Sequence, residues 1–499
     1  MEQWINNWLE EQRKKGIRGY EIKKSYNSYY VYKSTTVWNK ETKKRDKNST
    51  YIGKLDKESG LIIESSKKII TQCKVEKIKQ YGNAALLNIA MKDLQNPLKE
   101  VFGDIWEEIY ALAFVRVTGY VPLKRVESVW DRLYNITEIS PSLNPKNLSS
   151  ILKEIGSNRI KQDRIFESLS KTEEQLIYDL SVVFSRSEGI NFAEKGVNKD
   201  KIHIPQVNLV LLCSANDGMP TMIRAIPGSV RDITSLYNSI KEIGLAGKTL
   251  ILDRGFFSDK LMNFLIEKHL SFIIPARRNS TLYNYLIKLN KHFFYRDRLI
   301  KCGKMKVDDF YIYLFEDPSM KVEEEITLYK TFDKNKINKI VLDEYLEKAG
   351  CILIVSDLNI EEKEVFLLYK KRDGVEKLFD TYKNTLNADI LYLQDDESVF
   401  GHLFVSFLSL YGHCKLENIL RKASLIDKFS PLDLLEYYSK VYKMVFDGRD
   451  LISEVPKKVH DLDKALGLNV ECAPQSRQVV KVCLREGNHG KNNKKKIYK

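Results

Sequence analysis

The chain has 499 residues, 43% of them hydrophobic and 11% aromatic; that is too long for one compact core and too apolar for wholesale disorder, so roughly two to four domains are expected. Lys and Arg number 81 against 67 Asp and Glu, a formal charge of +14. The surplus is spread along the chain and calls for an anionic partner, most often nucleic acid. The seven cysteines include no C-x-x-C pair, and Cys472, Cys483 and His489 fit no common zinc spacing, which argues against a disulfide framework and a zinc knuckle. Ordinary thiols in a reducing cytoplasm are the expectation. MEQWINNWLEEQRKK opens the chain with charges where a leader needs an apolar run, and no apolar run is long enough to span a membrane.

Residues 1–65 alternate aromatic and polar residues with many lysines. Tyr29–Tyr32, Thr36–Trp38 and Thr50–Gly53 are predicted as short strands, with Asn39 to Ser49 as a hairpin link. Basic residues interleaved with aromatics on a small sheet can grip DNA, although a plain solvated meander has the same pattern. Residues 66–175 are predicted mainly helical. Asp104 and Glu107 look like a capping box, followed by Ile105, Ile109, Leu112, Ala113 and Val117 at helical spacing. A second helix holds Val126, Val129, Trp130 and Leu133, and a loop with Pro141 and Pro145 comes next.

From residue 176 the texture changes. Leu176–Phe184, Val207–Cys213 and Met222–Ile226 are predicted strands, the last two joined by the turn Asn216-Asp217-Gly218. Asp232 can cap a helix to about Ile243, Thr249–Asp253 is a fourth strand, Ser258 caps a helix to about His269, and Ser271–Pro275 is a fifth strand. This β-β-β-α-β-α-β order is that of a ribonuclease-H-like α/β fold, expected over 176–412. A mainly β insertion is expected at about 279–350, with strands in Lys306–Phe315 and Glu325–Phe332 and a helix in Ile340–Lys348; Cys351–Val355 is one more strand. Residues 413–499 are expected to be helical with a basic tail, Lys494-Lys495-Lys496-Ile497-Tyr498-Lys499; the predicted helices are Phe400–Leu410, Leu416–Ala423 and Leu432–Val445.

Two acids stand out because burying a lone carboxylate is costly. Asp179 lies inside YDLSVVFS, and Asp253 ends LILDRG, at the carboxyl edge of a strand where α/β sheets place active sites. A third polar cluster is Tyr369, Arg372, Glu376 and Lys383. At about 100° per residue these four fall within a sector of about 60°, beside the apolar stripe Leu368, Val375, Leu378, Phe379, Tyr382 and Leu386. The same periodicity leaves Asp373 and Asp380 open as the acid, and an amphipathic helix with an Arg372–Glu376 surface pair has the same signature.

The spacing Tyr369-x2-Arg372-x3-Glu376-x6-Lys383 resembles the YREK signature of insertion-sequence transposases with a DDE triad. LILDRGFFS around Asp253 and AIPGSVRDIT at 225–234 are similar to further blocks of that family. The resemblance covers about 176–412 and implies Asp179, Asp253 and Glu376 as the catalytic triad, holding two Mg²⁺ or Mn²⁺ ions. It implies Tyr369, Arg372 and Lys383 as contacts to the DNA end, with Arg254 as a further candidate. Double-stranded DNA, at transposon ends and at the target, would be the partner, and a homodimer would join two ends; the site of action would be the nucleoid. Some members stack a flipped base on an insertion Trp, whereas tryptophan here stands only at 4, 8, 38, 106 and 130. Phe293, Phe294 and Tyr295 are the aromatics available in its place. A metal-dependent endonuclease on the same fold, or an inactive DNA-binding descendant, are the competing readings.

Overall fold

The computed structural model describes residues 2–25, 28–39, 44–56, 62–64, 75–185, 187, 189–196, 204–229, 236, 245–335, 339–389, 393–446, 449–468 and 470. The predicted helix after Asp232, Cys472, Cys483, His489 and the basic tail fall outside these residues. The chain forms two compact units, one made of residues 1–82 with 438–499 and the other of residues 83–437.

In the first unit, helix α1 (Gln3–Lys14) carries Ile5, Trp8 and Leu9 at i, i+3, i+4, and this apolar stripe needs a sheet to cover it. A four-stranded antiparallel sheet supplies it: β1 (Tyr20–Ser25), β2 (Ser28–Asn39), β3 (Lys44–Leu55) and β4 (Ile62–Glu64), in that order. Ile5, Trp8, Ile22, Tyr29, Val31 and Leu55 make its core. The same unit holds a second sheet, in which β5 (Val75–Gln80) pairs with β15 (Tyr442–Phe446) and β15 with β16 (Arg449–Ile452). Helix α14 (Lys457–Leu466) ends at Gly467, which takes a left-handed φ of 65°. The helix predicted for Leu432–Val445 therefore stops early: α13 (Pro431–Tyr438) is followed by strand β15.

The second unit is built on one nine-stranded sheet. Its members are β6 (Gln175–Phe184), β7 (Gln206–Ser214), β8 (Pro220–Pro227), β9 (Thr249–Ile251), β10 (Ser271–Pro275), β11 (Lys291–Tyr295), β12 (Arg298–Val307), β13 (Phe310–Glu316) and β14 (Cys351–Ser356). The order is β11-β12-β13-β14-β10-β9-β6-β7-β8. Strands β6, β7 and β8 run antiparallel, while β9 lies parallel to both β6 and β10. All nine residues of β7 are buried, as its run VNLVLLC, apolar but for Asn208, requires of a strand covered on both faces. The turn at Asn216–Gly218 forms as predicted, with Gly218 at φ 70° and Asp217 Oδ1 accepting from the Met219 amide at 3.1 Å. Ser258 caps α7 (Asp259–Glu267), accepting from the Leu261 amide at 3.2 Å.

The expected insertion does not form a sheet of its own. Strand β14 pairs antiparallel with β10, and β13, β12 and β11 continue outward from it. The segment Glu325–Phe332, predicted as a strand, lies in helix α8 (Pro318–Asn335). Asp317 starts that helix by accepting from the Ser319 and Met320 amides, and the following Glu-rich run favours helix over its β-branched members. Helix α9 (Lys339–Glu347) then leads to β14.

Helices α2 (Gly82–Phe102), α3 (Trp106–Arg116), α4 (Leu123–Trp130), α5 (Pro145–Ser157) and α6 (Arg159–Ser170) precede the sheet. Asp104 and Glu107 form no capping box: Glu107 Oε2 accepts from the Ser140 amide at 2.7 Å, tying down the loop before α5. The two helices predicted for 400–423 are one, α12 (Asp396–Lys422). It is buried along most of its first five turns, as a helix apolar on all sides must be, and it packs on α3, α5 and the edge strand β8. Its contact with α5 is backbone to backbone. A Cβ on Gly401 would meet the Leu152 carbonyl oxygen at 1.9 Å, and one on Gly156 the Glu397 carbonyl oxygen at 1.7 Å.

Gly401→Val should therefore force α5 and α12 apart and lower stability by about 3 kcal/mol, seen as an earlier urea midpoint. Gly374→Ala, where a Cβ meets nothing within 4 Å, should be neutral or stabilising by up to about 1 kcal/mol. Equal midpoints for the two variants would contradict this account of the helix crossing.

Candidate active site

Strand pairing explains why two acids meet. Ile177 of β6 and Ile251 of β9 are partners in a parallel ladder. Two residues further along each chain stand Asp179 and Asp253, level with one another and, by the two-residue period of a strand, on one face. Asp179 is half-buried within β6, and Asp253 is half-buried just past β9, where the backbone turns into a 3₁₀ segment, Arg254–Phe256.

Arg372 lies between them. Its guanidinium is 3.7 Å from Asp179 Oδ2 and 3.4 Å from Asp253 Oδ1. Burial opposes that charge, but Asp253 and then Asp179 hold the Arg372 pKa above the ordinary arginine value. Tyr369 stands beside it. Burial raises the phenol pKa, and the Arg372 and Arg254 charges oppose the rise. The Nε–H groups of Arg254 and Arg372 are both buried and without a hydrogen-bond partner.

The segment that carries Tyr369, Arg372, Glu376 and Lys383 is not one regular helix. Helix α10 (Glu362–Lys370) closes in a tight turn in which the Arg372 amide bonds Tyr369 O and the Val375 amide bonds Arg372 O. Helix α11 (Asp373–Asp380) follows and passes into a π-turn, Thr381–Thr385, where the Leu386 amide reaches back to Thr381 O. Val375, Leu378, Phe379 and Tyr382 are buried, and α11 lies against β6. Lys383 is brought onto β6, donating to Ser181 Oγ and Val182 O at 2.6 Å each. Glu376 is exposed on α11, near enough for its charge to act on Arg372.

Asp179, Asp253, Arg254, Tyr369 and Arg372 are thus brought together, with Lys383 further along β6 and Glu376 at the edge. Among the described residues no three His, Cys, Asp or Glu side chains lie close enough to hold one metal ion. The pair Asp179 and Asp253 nevertheless fits one. Both offer only oxygen, which suits a hard divalent cation, and a guanidinium between them marks a place where positive charge is needed. Two neighbours carry no motif signal. Arg277 donates to Gly255 O at 3.0 Å and steadies the turn after Asp253, and Ser181 receives Lys383. The only hint of either was position, a basic pair after strand β10 and a hydroxyl two residues from Asp179.

Residues 170–411 match the family model of the transposase DDE domain. That segment holds every residue of the site, and the match supports a transposase. Among solved structures, the chain is similar to the piggyBac transposase synaptic complex with hairpin DNA, at 11% identity and a TM-score of 0.35, covering 81% of this chain and 85% of that one. No curated protein matches the chain. No helix among the described residues is long and apolar enough to cross a membrane.

Behind the π-turn lies a buried pair. Arg116 donates to His402 Nδ1 at 3.2 Å, and His402 Nε2 donates to Ala388 O at 3.2 Å. Burial, then the Arg116 charge, holds the His402 pKa down to about 3, and burial holds Arg116 down to about 10. The folded-state histidine value is depressed, so the unfolded chain binds the extra proton. The stability this neutral ring contributes is complete above about pH 6.5, the ordinary histidine value, and is lost as pH falls from there toward 3. Urea midpoints taken between pH 6.5 and 4 should fall less steeply for His402→Asn than for the unaltered protein; parallel slopes would mean that His402 titrates normally.

Arg372→Gln should leave the two aspartates facing one another without a cation. Thermal stability in EDTA should drop, and millimolar Mn²⁺ should raise the melting temperature more in the variant than in the unaltered protein. Equal shifts would show that the guanidinium does not hold the cation's place.

Proposed function

We propose that the chain is the DNA transposase of an insertion sequence, with Asp179, Asp253 and Glu376 as its acidic triad on a ribonuclease-H-like core. One observation carries the reading: two carboxylates on adjacent parallel strands share the Arg372 guanidinium, beside two arginine Nε–H donors without acceptors. The order β8-β7-β6-β9-β10 within the larger sheet, with β8, β7 and β6 antiparallel and β6, β9 and β10 parallel, favours that core. A divalent ion bound there would stabilise the charge on the attacking and leaving oxygens of a phosphodiester as it is displaced.

The side chains divide the remaining work. Asp179 and Asp253 are held by the sheet and form the fixed part of the site. Glu376, exposed on α11, completes the donor set by turning toward them. Arg372 and Arg254 offer a phosphate the unused Nε–H donors that a carboxylate pair does not fill. Tyr369, held against Arg372, lines the approach. Lys383 places a positive charge along β6, where DNA extending from the cut phosphate would pass. Terminal repeats of the element are the substrate in this reading, and two copies of the chain bring two ends together.

Incubated with Mg²⁺ and duplexes from the DNA that flanks its reading frame, the protein should cut at the element's ends and join the freed 3′ ends to a second duplex. Glu376→Gln and Asp253→Asn should each lower both steps by at least roughly 10³-fold while still binding the duplex. Cutting without joining would replace the transposase with a nuclease. Unaltered rates in Glu376→Gln would remove that residue from the triad.

A further inference from the structure

We propose that the open face of the N-terminal sheet docks on duplex DNA, with Trp38 and Arg45 leading into a groove. The inference rests on the transposase reading and adds to it a surface of the N-terminal unit that holds DNA. The sheet has two unlike faces. One carries Ile22, Tyr29, Val31 and Leu55, closed by Ile5 and Trp8 of α1. By strand alternation and the pairings Tyr30↔Lys54, Tyr32↔Tyr51, Thr36↔Lys47 and Trp38↔Arg45, the opposite face carries those eight residues. Lys23, the partner of Tyr30 on β1, joins them, its ammonium 4.6 Å above the Tyr32 ring. Tyr32 and Tyr51 are packed at 5.4 Å between centroids, and Tyr30 and Tyr51 at 6.1 Å.

The shape also points outward. Strand β1 pairs with β2 only as far as Lys33, and β4 covers only Gly53–Leu55 of β3. Residues 34–39 and 44–49 therefore extend as a two-stranded ribbon, roughly 20 Å long at about 3.3 Å per residue. Trp38 is 56% exposed and Val37 59% exposed on that ribbon. A two-stranded ribbon fits the major groove of duplex DNA, about 12 Å wide. The charge on the open face is complementary to it. Lys23, Arg45, Lys47 and Lys54 stand there with one acid of the paired strands, Glu21, which is held by Lys47; Asp46 belongs to the other face. Cations spaced between aromatic rings suit phosphates flanking base edges. A protein partner would want a larger apolar patch.

The test measures binding of the full-length protein to a mixed-sequence 30-bp duplex in EDTA, by fluorescence anisotropy over a range of salt. Arg45→Gln and Lys54→Gln should each reduce the slope of log K against log salt by about one. Trp38→Ala should weaken binding roughly tenfold at every salt concentration with the slope unchanged, and Trp38→Phe should restore most of it. These positions are exposed or at the ribbon, so folding is checked simply by an unchanged melting temperature. If the unaltered protein binds and none of the variants differs, DNA is held elsewhere and the proposal fails. Tighter binding to the single strand than to the duplex also overturns it. If the unaltered protein binds no DNA at all, the transposase reading itself falls.

Discussion

Two negative charges set level on neighbouring strands repel one another, and a fold that puts them there must supply a cation. In this chain the cation is the Arg372 guanidinium, 3.4 Å from Asp253 and 3.7 Å from Asp179. Much of the second unit can be understood as the machinery that keeps these three groups in place. The parallel β6–β9 ladder fixes the two acids, and the buried edge of α11 seats the arginine. The ladder cannot slip by one residue without turning one aspartate to the face opposite the other, so the register of the core is also the register of the site.

Such an arrangement is economical of sequence signal. Asp179 and Asp253 were legible because an acid interrupting or ending an apolar run is conspicuous, and the runs themselves gave the strands. Strands β6, β7, β8 and β10 and the Ser258 cap could be placed from the chain alone. The outer half of the sheet could not. Alternation over Lys306–Phe315 pointed to β13, but β11 and β12 went unpredicted, and the pattern carried no information about which strand β13 would join, because pairing partners are set by the whole sheet. Glu325–Phe332 was misassigned for a related reason: Ile326, Thr327 and Tyr329 favour strand locally, while the Asp317 cap and the charged residues around them favour helix. Arg277 was invisible because its role depends on the carbonyl of Gly255, which no local pattern announces.

The division of α12 into two helices, and the strand after α13, show the limit from the other side. Nothing in the run from Phe400 to Lys422 breaks a helix. The gap between its predicted halves was Tyr411–Lys415, and within it Gly412 is a place of close approach: a Cβ there would meet Met91 at 2.9 Å. Gly401 and Gly412 lower intrinsic helix propensity and are kept in a long helix because neighbours lie against them. A rule that takes glycine as a stop reads the opposite of what this packing needs.

The spacing from Tyr369 to Lys383 is the instructive case, since a uniform helix would put these four residues on one side although the segment is not uniform. The turn through Lys371–Val375 closes on i→i+3 bonds, which advance each residue by about 120° in place of 100°. The π-turn at Thr381–Thr385 is wider and advances each residue by less. The two departures have opposite sign, and Lys383 returns toward the sheet to meet Ser181 and Val182. Departures of this kind gather at functional sites. The tight turn sets Arg372 between two acids, and the wide one carries both the buried Tyr382, which donates to Leu403 O at 3.2 Å, and the lysine that reaches β6.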